Sequence, residues 1–365
     1  MGTKQQVIDN NSIPTLSLQE LIKQQPVASI PEQYVRVDQE PSLAVDLDAA
    51  SLSIPVIDGQ RLTVGEDRNS ELEKLHSACK EWGLFMLVNH GIGTSLLAKL
   101  KHEIEEFFKL PLEEKMKYRL REGDYQGYGQ YWLSVGDQKL DWADRFYMIT
   151  NPPYMTKPYL LPQLPPAFRD ALELYLLESR KLVKEVVLSI AKALRMEEQE
   201  MMELFEDGMQ SMRMSYYPPC PKPELVMGLV PHSDANLITI ILQVDGVDGL
   251  QVKNKAGAWI PVNFLPDSFV VNLGDILEIM SNGAFESPEH RAAVNSVKER
   301  ISIAVFFNVN SEAEFGPSTG LISPQNPPLF KRIAMHKYFK DVASRRTIGK
   351  SNIQFLRINQ QANPN

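Results

Sequence analysis

The sequence predicts an α+β protein with a mainly β core, a double-stranded β-helix of the cupin-like jelly-roll kind, flanked by helices. Two observations carry this expectation. Residues 211–310 hold a dense series of short β-type runs broken by turn signals, which suits two facing antiparallel sheets. Immediately before them, residues 166–194 trace a long apolar stripe at helical spacing.

Taken in order, residues 1–53 are polar, carry Pro14, Pro26, Pro31 and Pro41, and read as an N-terminal arm with one short helix near Leu16–Gln24. Ser53–Asp58 reads as a first strand. Leu72, Leu75 and Cys79 follow helical spacing and Gly83 precedes apolar Leu84–Val88, so residues 69–90 read as a helix running into a strand. A second helix covers Thr94–Leu110, and Pro111 ends it. Residues 121–165 are rich in Gly, Pro and aromatics and read as long surface connections. In 166–194, Phe168, Leu172, Tyr175, Leu176, Val183, Val187, Ile190 and Leu194 share one face, as in a scaffold helix packed along a sheet.

The β-type runs are Met212–Tyr217, Leu237–Val244, Leu250–Lys253, Trp259–Val262, Phe269–Leu273, Glu278–Met280, Arg291–Val294 and Ile301–Phe307. Asp248-Gly249, Asn272–Asp275 and Asn282-Gly283 punctuate them. The chain therefore divides into an arm (1–53), a mostly helical region (54–210), a jelly-roll core with the metal site (211–310) and a C-terminal helical segment (311–365). None of these reads as self-sufficient, so one structural unit is expected.

Composition narrows the function. The chain is 43% hydrophobic and 23% charged, with net charge −8, which disfavours a nucleic-acid binder. Cys79 and Cys220 are too few for a disulfide framework and suit a reducing compartment. No stretch reaches the ~20 apolar residues of a membrane span. The expectation is a cytoplasmic, monomeric protein with a small-molecule substrate, no nucleic-acid partner and no membrane association.

The informative segment is Pro231-His-Ser-Asp234. His232 and Asp234 are two apart, so in extended chain they face the same side. His290 lies 58 positions later at the start of another β run, where a jelly roll can bring it alongside. Two His and one carboxylate on one face of an octahedron leave three positions open, the set used by non-haem Fe(II) oxygenases. Zinc can use the same three ligands, and a lone His-x-Asp is common by chance.

Arg300–Phe307 adds a second constellation. Alternation puts Arg300, Ser302, Ala304 and Phe306 on one face and Ile301, Ile303, Val305 and Phe307 on the other. A buried Arg needs an anion, and a guanidinium with a hydroxyl suits a carboxylate. A structural ion pair with a protein carboxylate explains Arg300 equally well. Tyr217, in Ser215-Tyr-Tyr-Pro-Pro-Cys220, can add a phenol donor or simply pack.

With these residues in view, the chain resembles the plant 2-oxoglutarate/Fe(II)-dependent dioxygenases, a family that includes anthocyanidin synthase and flavonol synthase. The marks run from about residue 54 to 340: Ile54–Asp58, Trp82–Phe85, Val88–Gly91, Tyr216–Cys220, His232–Asp234, Gly249–Gln251, Asn272–Asp275, Ser281–Gly283, Glu289–Arg291 and Arg300–Ser302. Gly127–Gln130 with Leu140–Asp144 look most like the branch holding alkaloid O-demethylases and senescence-related oxygenases.

The resemblance implies Fe(II) on His232, Asp234 and His290. It implies that Arg300 and Ser302 hold the distal carboxylate of 2-oxoglutarate, helped by Tyr217 and by Ser215, which stands where the family usually has Asn. Phe306 and Tyr128 would line the substrate pocket, with Phe285 near His290 where Tyr is common. Ala235-Asn236 replaces a frequent Gly pair, and His90 is expected to be structural. The implied reaction consumes O2 and 2-oxoglutarate and releases succinate and CO2, with ascorbate as reductant. It would hydroxylate, O-demethylate or desaturate a small specialised metabolite. The alternatives are an ascorbate-dependent oxidase of the same fold and a non-catalytic small-molecule-binding jelly roll.

Overall fold

The computed structural model describes residues 17–24, 30–36, 53–63, 67–121, 123–130, 139–343 and 350–358. Most of the expected N-terminal arm lies outside these residues. The first half runs α1 (Leu18–Gln24), β1 (Val56–Asp58), α2 (Gly59–Thr63), α3 (Arg68–Glu81), β2 (Leu84–Val88), α4 (Thr94–Lys109), α5 (Leu112–Lys115), β3 (Gly127–Gly129), β4 (Asp144–Asn151), α6 (Pro166–Leu194) and α7 (Glu198–Phe205). The second half runs β5 (Gln210–Tyr217), β6 (Leu229–His232), β7 (Ile238–Gln243), β8 (Leu250–Lys253), β9 (Trp259–Pro261), β10 (Phe269–Leu273), α8 (Asp275–Met280), β11 (His290–Ala292) and β12 (Arg300–Phe307). A ribbon of β13 (Glu314–Phe315) and β14 (Ile333–Ala334) then leads to α9 (Met335–Ala343) and α10 (Ser351–Gln354).

Two sheets make the jelly roll. The major one has the order β1-β2-β10-β7-β12-β5-β4-β3, and the minor one β6-β11-β8-β9. Alternation in β12 works as the sequence predicts. Ile301, Ile303, Val305 and Phe307 enter the main core, shared with Val183, Val187 and Ile190 of α6. Ala304 and Phe306 face the other way and pack with Leu250 and Val252 of the minor sheet. Burying each such aliphatic or aromatic side chain contributes about 1.5–3 kcal/mol, so α6 is the scaffold under the major sheet. It ends where Arg195 turns left-handed at φ 58 and its N–H caps Ala191 and Lys192.

Three expectations need correction. Residues 121–165 are not all surface connections: β3 and β4 extend the major sheet beyond β5. Glu278–Met280 is helical, the end of α8. Every α8 residue is buried, so no periodicity separates a short helix from a strand there. β6 escaped notice because Pro231 weakens its β signal; it pairs only with β11 and is an edge strand, where Pro is tolerated.

Candidate metal centre

β6 and β11 are antiparallel neighbours, and their register sets His290 directly opposite His232. The two rings lie 4.3 Å apart between centroids. Asp234 follows β6 by two residues, in the turn before β7. Its Oδ1 lies 3.5 Å from His232 Nε2 and 3.8 Å from His290 Nε2. One ligand atom from each of the three residues falls within 4.8 Å of the others, and all three residues are buried.

Hydrogen bonds aim these atoms. His232 Nδ1 donates to the Val230 carbonyl at 2.8 Å and His290 Nδ1 to the Pro288 carbonyl at 3.2 Å. Each ring therefore carries its proton on Nδ1 and turns the Nε2 lone pair inward. Asp234 Oδ2 accepts from Thr239 Oγ1 at 2.6 Å and Asn272 Nδ2 at 2.9 Å, which leaves Oδ1 for the centre. Burial alone would raise the Asp234 carboxyl, but His290, His232 and Thr239 hold it far below the usual carboxylate range. Burial, then His232, pushes the His290 ring down to about 4, so it is neutral and ready to ligate at neutral pH.

His232 Nε2 is buried and has no hydrogen-bond partner. An orphaned buried nitrogen is costly, and a cation between it, Asp234 Oδ1 and His290 Nε2 satisfies all three. The N2O donor set with open positions fits ferrous iron. The backbone braces the turn: Asp275 N–H donates to the Asp234 carbonyl at 2.8 Å. Ser287 Oγ reaches Asp275 Oδ1 at 2.5 Å and Glu278 Oε2 at 3.0 Å. Burial pushes the Asp275 carboxyl up to about 7, against hydrogen bonds from Ser287 and Ser233.

The inner face of the major sheet carries the second constellation. Cross-strand register sets Arg300 opposite Tyr217 and Ser302 opposite Ser215. The Arg300 guanidinium lies 5.1 Å from the Tyr217 ring centroid. Burial alone would raise the Tyr217 hydroxyl, but Arg300, Arg213 and Arg145 outweigh it and lower it. Arg300 makes no close ion pair. Among the described residues no carboxylate is in ion-pair range of it, and its buried Nε has no hydrogen-bond partner. Asp245 feels the charge of Arg300 at longer range, and its Oδ2 accepts the Ile301 N–H at 2.7 Å. Gly249 makes the room: a Cβ there would sit 2.7 Å from Arg300 Cδ.

A cavity of about 250 Å³ opens beside Asp234, walled by Phe306, Tyr147, Leu120, Met209 and Phe339 among others. Two expected pocket residues do not line it. Tyr128 points into the core, where its hydroxyl meets Ser17 Oγ at 3.1 Å and Asp144 Oδ2 at 3.3 Å; its neighbours Gly127 and Gly129 face the cavity instead. Phe285 is wholly buried and packs edge-on against His76, so the missing tyrosine hydroxyl falls away from this cavity. His90 bonds the Asp267 carbonyl and packs at a tilt against Phe269, away from the metal cluster. Sequence reading did not single out Arg213 and Arg145, which line the cavity. Arg213 has the same strand parity as Ser215 and Tyr217, so alternation in β5 was the available signal.

Comparison with known proteins agrees with this architecture. Residues 208–309 match the 2OG-Fe(II) oxygenase superfamily, and residues 54–167 match the N-terminal family described as non-haem dioxygenase in morphine synthesis. The chain is 47% identical to Protein SRG1 of Arabidopsis thaliana over 95% of its own length and 98% of that protein. It is 47% identical to oxoglutarate-dependent flavonoid 7-O-demethylase 1 of Ocimum basilicum (95% and 92%) and 46% identical to codeine O-demethylase of Papaver somniferum (95% and 97%). The crystal structure of JOX2 in complex with 2OG, Fe and JA superposes with a TM-score of 0.85 at 33% identity, covering 95% of this chain and 98% of that one. With the jelly roll, the open His-Asp-His cluster and these relatives together, the chain belongs to the 2OG-Fe(II) oxygenase superfamily and is a 2-oxoglutarate-dependent dioxygenase.

Proposed function

We propose that His232, Asp234 and His290 hold Fe(II), that Arg300, Ser302, Tyr217 and Ser215 receive the distal carboxylate of 2-oxoglutarate, and that the cavity lined by Phe306 takes a small specialised metabolite. The observation that carries this reading is Arg300: a buried guanidinium with no carboxylate in ion-pair range among the described residues, on the major sheet, while β6 and β11 of the open metal cluster belong to the minor sheet. When bound, iron would activate O2, the oxidant, with 2-oxoglutarate giving two electrons as it leaves as succinate and CO2 and the substrate C–H bond giving the other two.

The chain's own residues do the rest. His232 and His290 keep their Nε2 atoms fixed on the centre through Nδ1 hydrogen bonds. Arg300 sets the co-substrate's direction. The apolar cavity wall positions the reacting C–H bond and excludes water. The flavonoid and codeine O-demethylases among the relatives make an aryl methyl ether the first substrate class to test, ahead of hydroxylation or desaturation. Both ligand sets are complete within one chain, which supports a monomer; two buried free thiols suit the cytoplasm, and ascorbate would keep the iron reduced.

The test is anaerobic titration of the Fe(II) protein with 2-oxoglutarate, watching for the visible charge-transfer band of the chelate. The band should form in the wild type and vanish in His290→Ala. Arg300→Ala should weaken 2-oxoglutarate by about a hundredfold, the scale of a lost bidentate charge pair, and leave iron affinity alone. Equal loss of both, or no loss, defeats the assignment. Aerobic screening then follows succinate, and formaldehyde for methyl ethers.

A further inference from the structure

We infer that Asn236 is a positioning residue for the metal centre: its carboxamide fixes the direction of the Thr239 hydroxyl, and that hydroxyl fixes Asp234. This rests on the reading above, that Asp234 is a ligand to the metal.

Asn236 sits in the turn between β6 and β7, in the pair that stands where the family often carries glycines. It is buried on the wall of the cavity beside Asp234. Its Nδ2 donates to the Ile238 carbonyl at 3.0 Å and to Thr239 Oγ1 at 2.8 Å. A backbone carbonyl only accepts, so the nitrogen end of the carboxamide must face Ile238. Both Nδ2 hydrogens are thereby assigned, and Thr239 Oγ1 is an acceptor toward Asn236. A hydroxyl has one hydrogen. That of Thr239 goes to Asp234 Oδ2, 2.6 Å away. The amide stops the hydroxyl from turning about its bond and polarises its O–H toward the carboxylate. Asp234 Oδ1 stays aimed at His232 and His290.

The arrangement carries a cost that packing does not explain. Asn236 Oδ1 is buried and has no hydrogen-bond partner, and a buried orphan acceptor is destabilising. Leucine has nearly the same shape and no such penalty. The surroundings nevertheless hold the amide in place. Ile276 N–H donates to the Asn236 carbonyl at 3.1 Å, and the next element begins with Gly274, where a Cβ would collide with that carbonyl and with Oδ1. What the asparagine gives in return is the direction of the Thr239 hydroxyl, which neither leucine nor glycine can set.

The test is a double-mutant cycle read by anaerobic Fe(II) titration, with thermal unfolding of the metal-free proteins alongside. Asn236→Leu should weaken Fe(II) by about tenfold, the lower end of what orienting groups contribute. In a Thr239→Val background no hydroxyl remains to be turned, and the same change should then move Fe(II) affinity by less than about twofold. Metal-free Asn236→Leu should melt no lower than the wild type, because the orphaned oxygen is gone. Asn236→Ala, which cannot overpack the turn, should reproduce both affinity results. Unchanged Fe(II) affinity in Asn236→Leu and Asn236→Ala overturns the inference. So does an equal loss with and without the Thr239 hydroxyl, which would make Asn236 a packing residue. If wild type and His290→Ala bind Fe(II) alike, the metal assignment itself fails and takes the inference with it.

Discussion

Arg357 Nη2 lies 3.2 Å from Glu278 Oε1, tying the C-terminal segment to a wholly buried carboxylate in α8. Lys350 pairs with the other oxygen, which also accepts the Ser287 N–H at 2.8 Å. Ser287 begins the short turn that carries His290. One carboxylate thus joins the last described segment of the chain, α8 and the third metal residue. Glu278→Ala leaves two cations and a backbone N–H unmatched. Removing one partner of a buried pair costs about 3 kcal/mol, which in a chain of 365 residues lowers the melting temperature by about 4 °C. Thermal unfolding checks this. Arg357→Gln, at a partly exposed site, should change stability far less.

The seat of Arg300 gives a second expectation. Gly249→Ala would place a methyl 2.7 Å from Arg300 Cδ and 2.9 Å from the Ala293 carbonyl. The backbone is held there, since Ala293 N–H donates to the Gly249 carbonyl at 2.8 Å, so the arginine must move. We expect 2-oxoglutarate affinity to fall by about tenfold, one weakened charge-assisted hydrogen bond, with iron affinity unchanged. Anaerobic titrations of metal and co-substrate separate the two, and an unaltered co-substrate affinity would show that Arg300 has slack.

The metal cluster was legible because its signal is local. His232 and Asp234 sit two apart, and the jelly roll that pairs β6 with β11 could be inferred from the density of strands. The setting of Arg300 was half legible: alternation set it inward, but only the fold shows that no carboxylate comes into ion-pair range of it. Arg213 obeys the same alternation and was passed over, because the run Met212–Tyr217 does not say whether an Arg in it finds a partner. β4 was hidden because Gly, Pro and aromatic residues around it read as connections; its pairing with β5 supplies what local propensity lacks. Tyr128 shows the opposite error. A resemblance placed it in the pocket, yet β3 alternates, and Gly127 and Gly129 hold the cavity side.

Asp245 predicts a pH dependence. Burial raises its carboxyl to about 6, against hydrogen bonds from Val247 and Ile301 N–H groups and the charge of Arg300. Its folded value therefore exceeds the unfolded one of about 3.9, and the folded state holds the proton more tightly. Stability from this group is fully present below about pH 4 and is lost as pH rises to about 6. Asp245→Asn cannot ionise and keeps one carbonyl oxygen, while the two backbone donors reach different oxygens of Asp245, so the variant carries a constant loss of one bond and only its change with pH is read. Relative to its offset at pH 4, its urea midpoint should gain on the wild type between pH 4 and 6 and hold that gain at pH 7.5. A wild-type midpoint that rises against the variant between pH 4 and 6 would mean that the ionised form is the one the fold prefers.

The last expectation concerns how Asp234 is held. Thr239 Oγ1 and Asn272 Nδ2 both donate to Oδ2, which keeps the carboxylate from swinging and reserves Oδ1 for the metal. Groups that orient a ligand in this way are worth about 10–100-fold in metal affinity. Thr239→Val preserves shape and removes the hydroxyl. Asn272→Leu removes the amide and also relieves its buried, unpartnered Oδ1, so its fold should survive. Each should weaken Fe(II) binding within that range, and Thr239→Ser should restore it, because the hydroxyl and not the methyl does the orienting. Direct Fe(II) titration of the three variants decides the matter. If Thr239→Ser is as weak as Thr239→Val, packing of the methyl sets the position of Asp234 and the hydrogen bond is incidental.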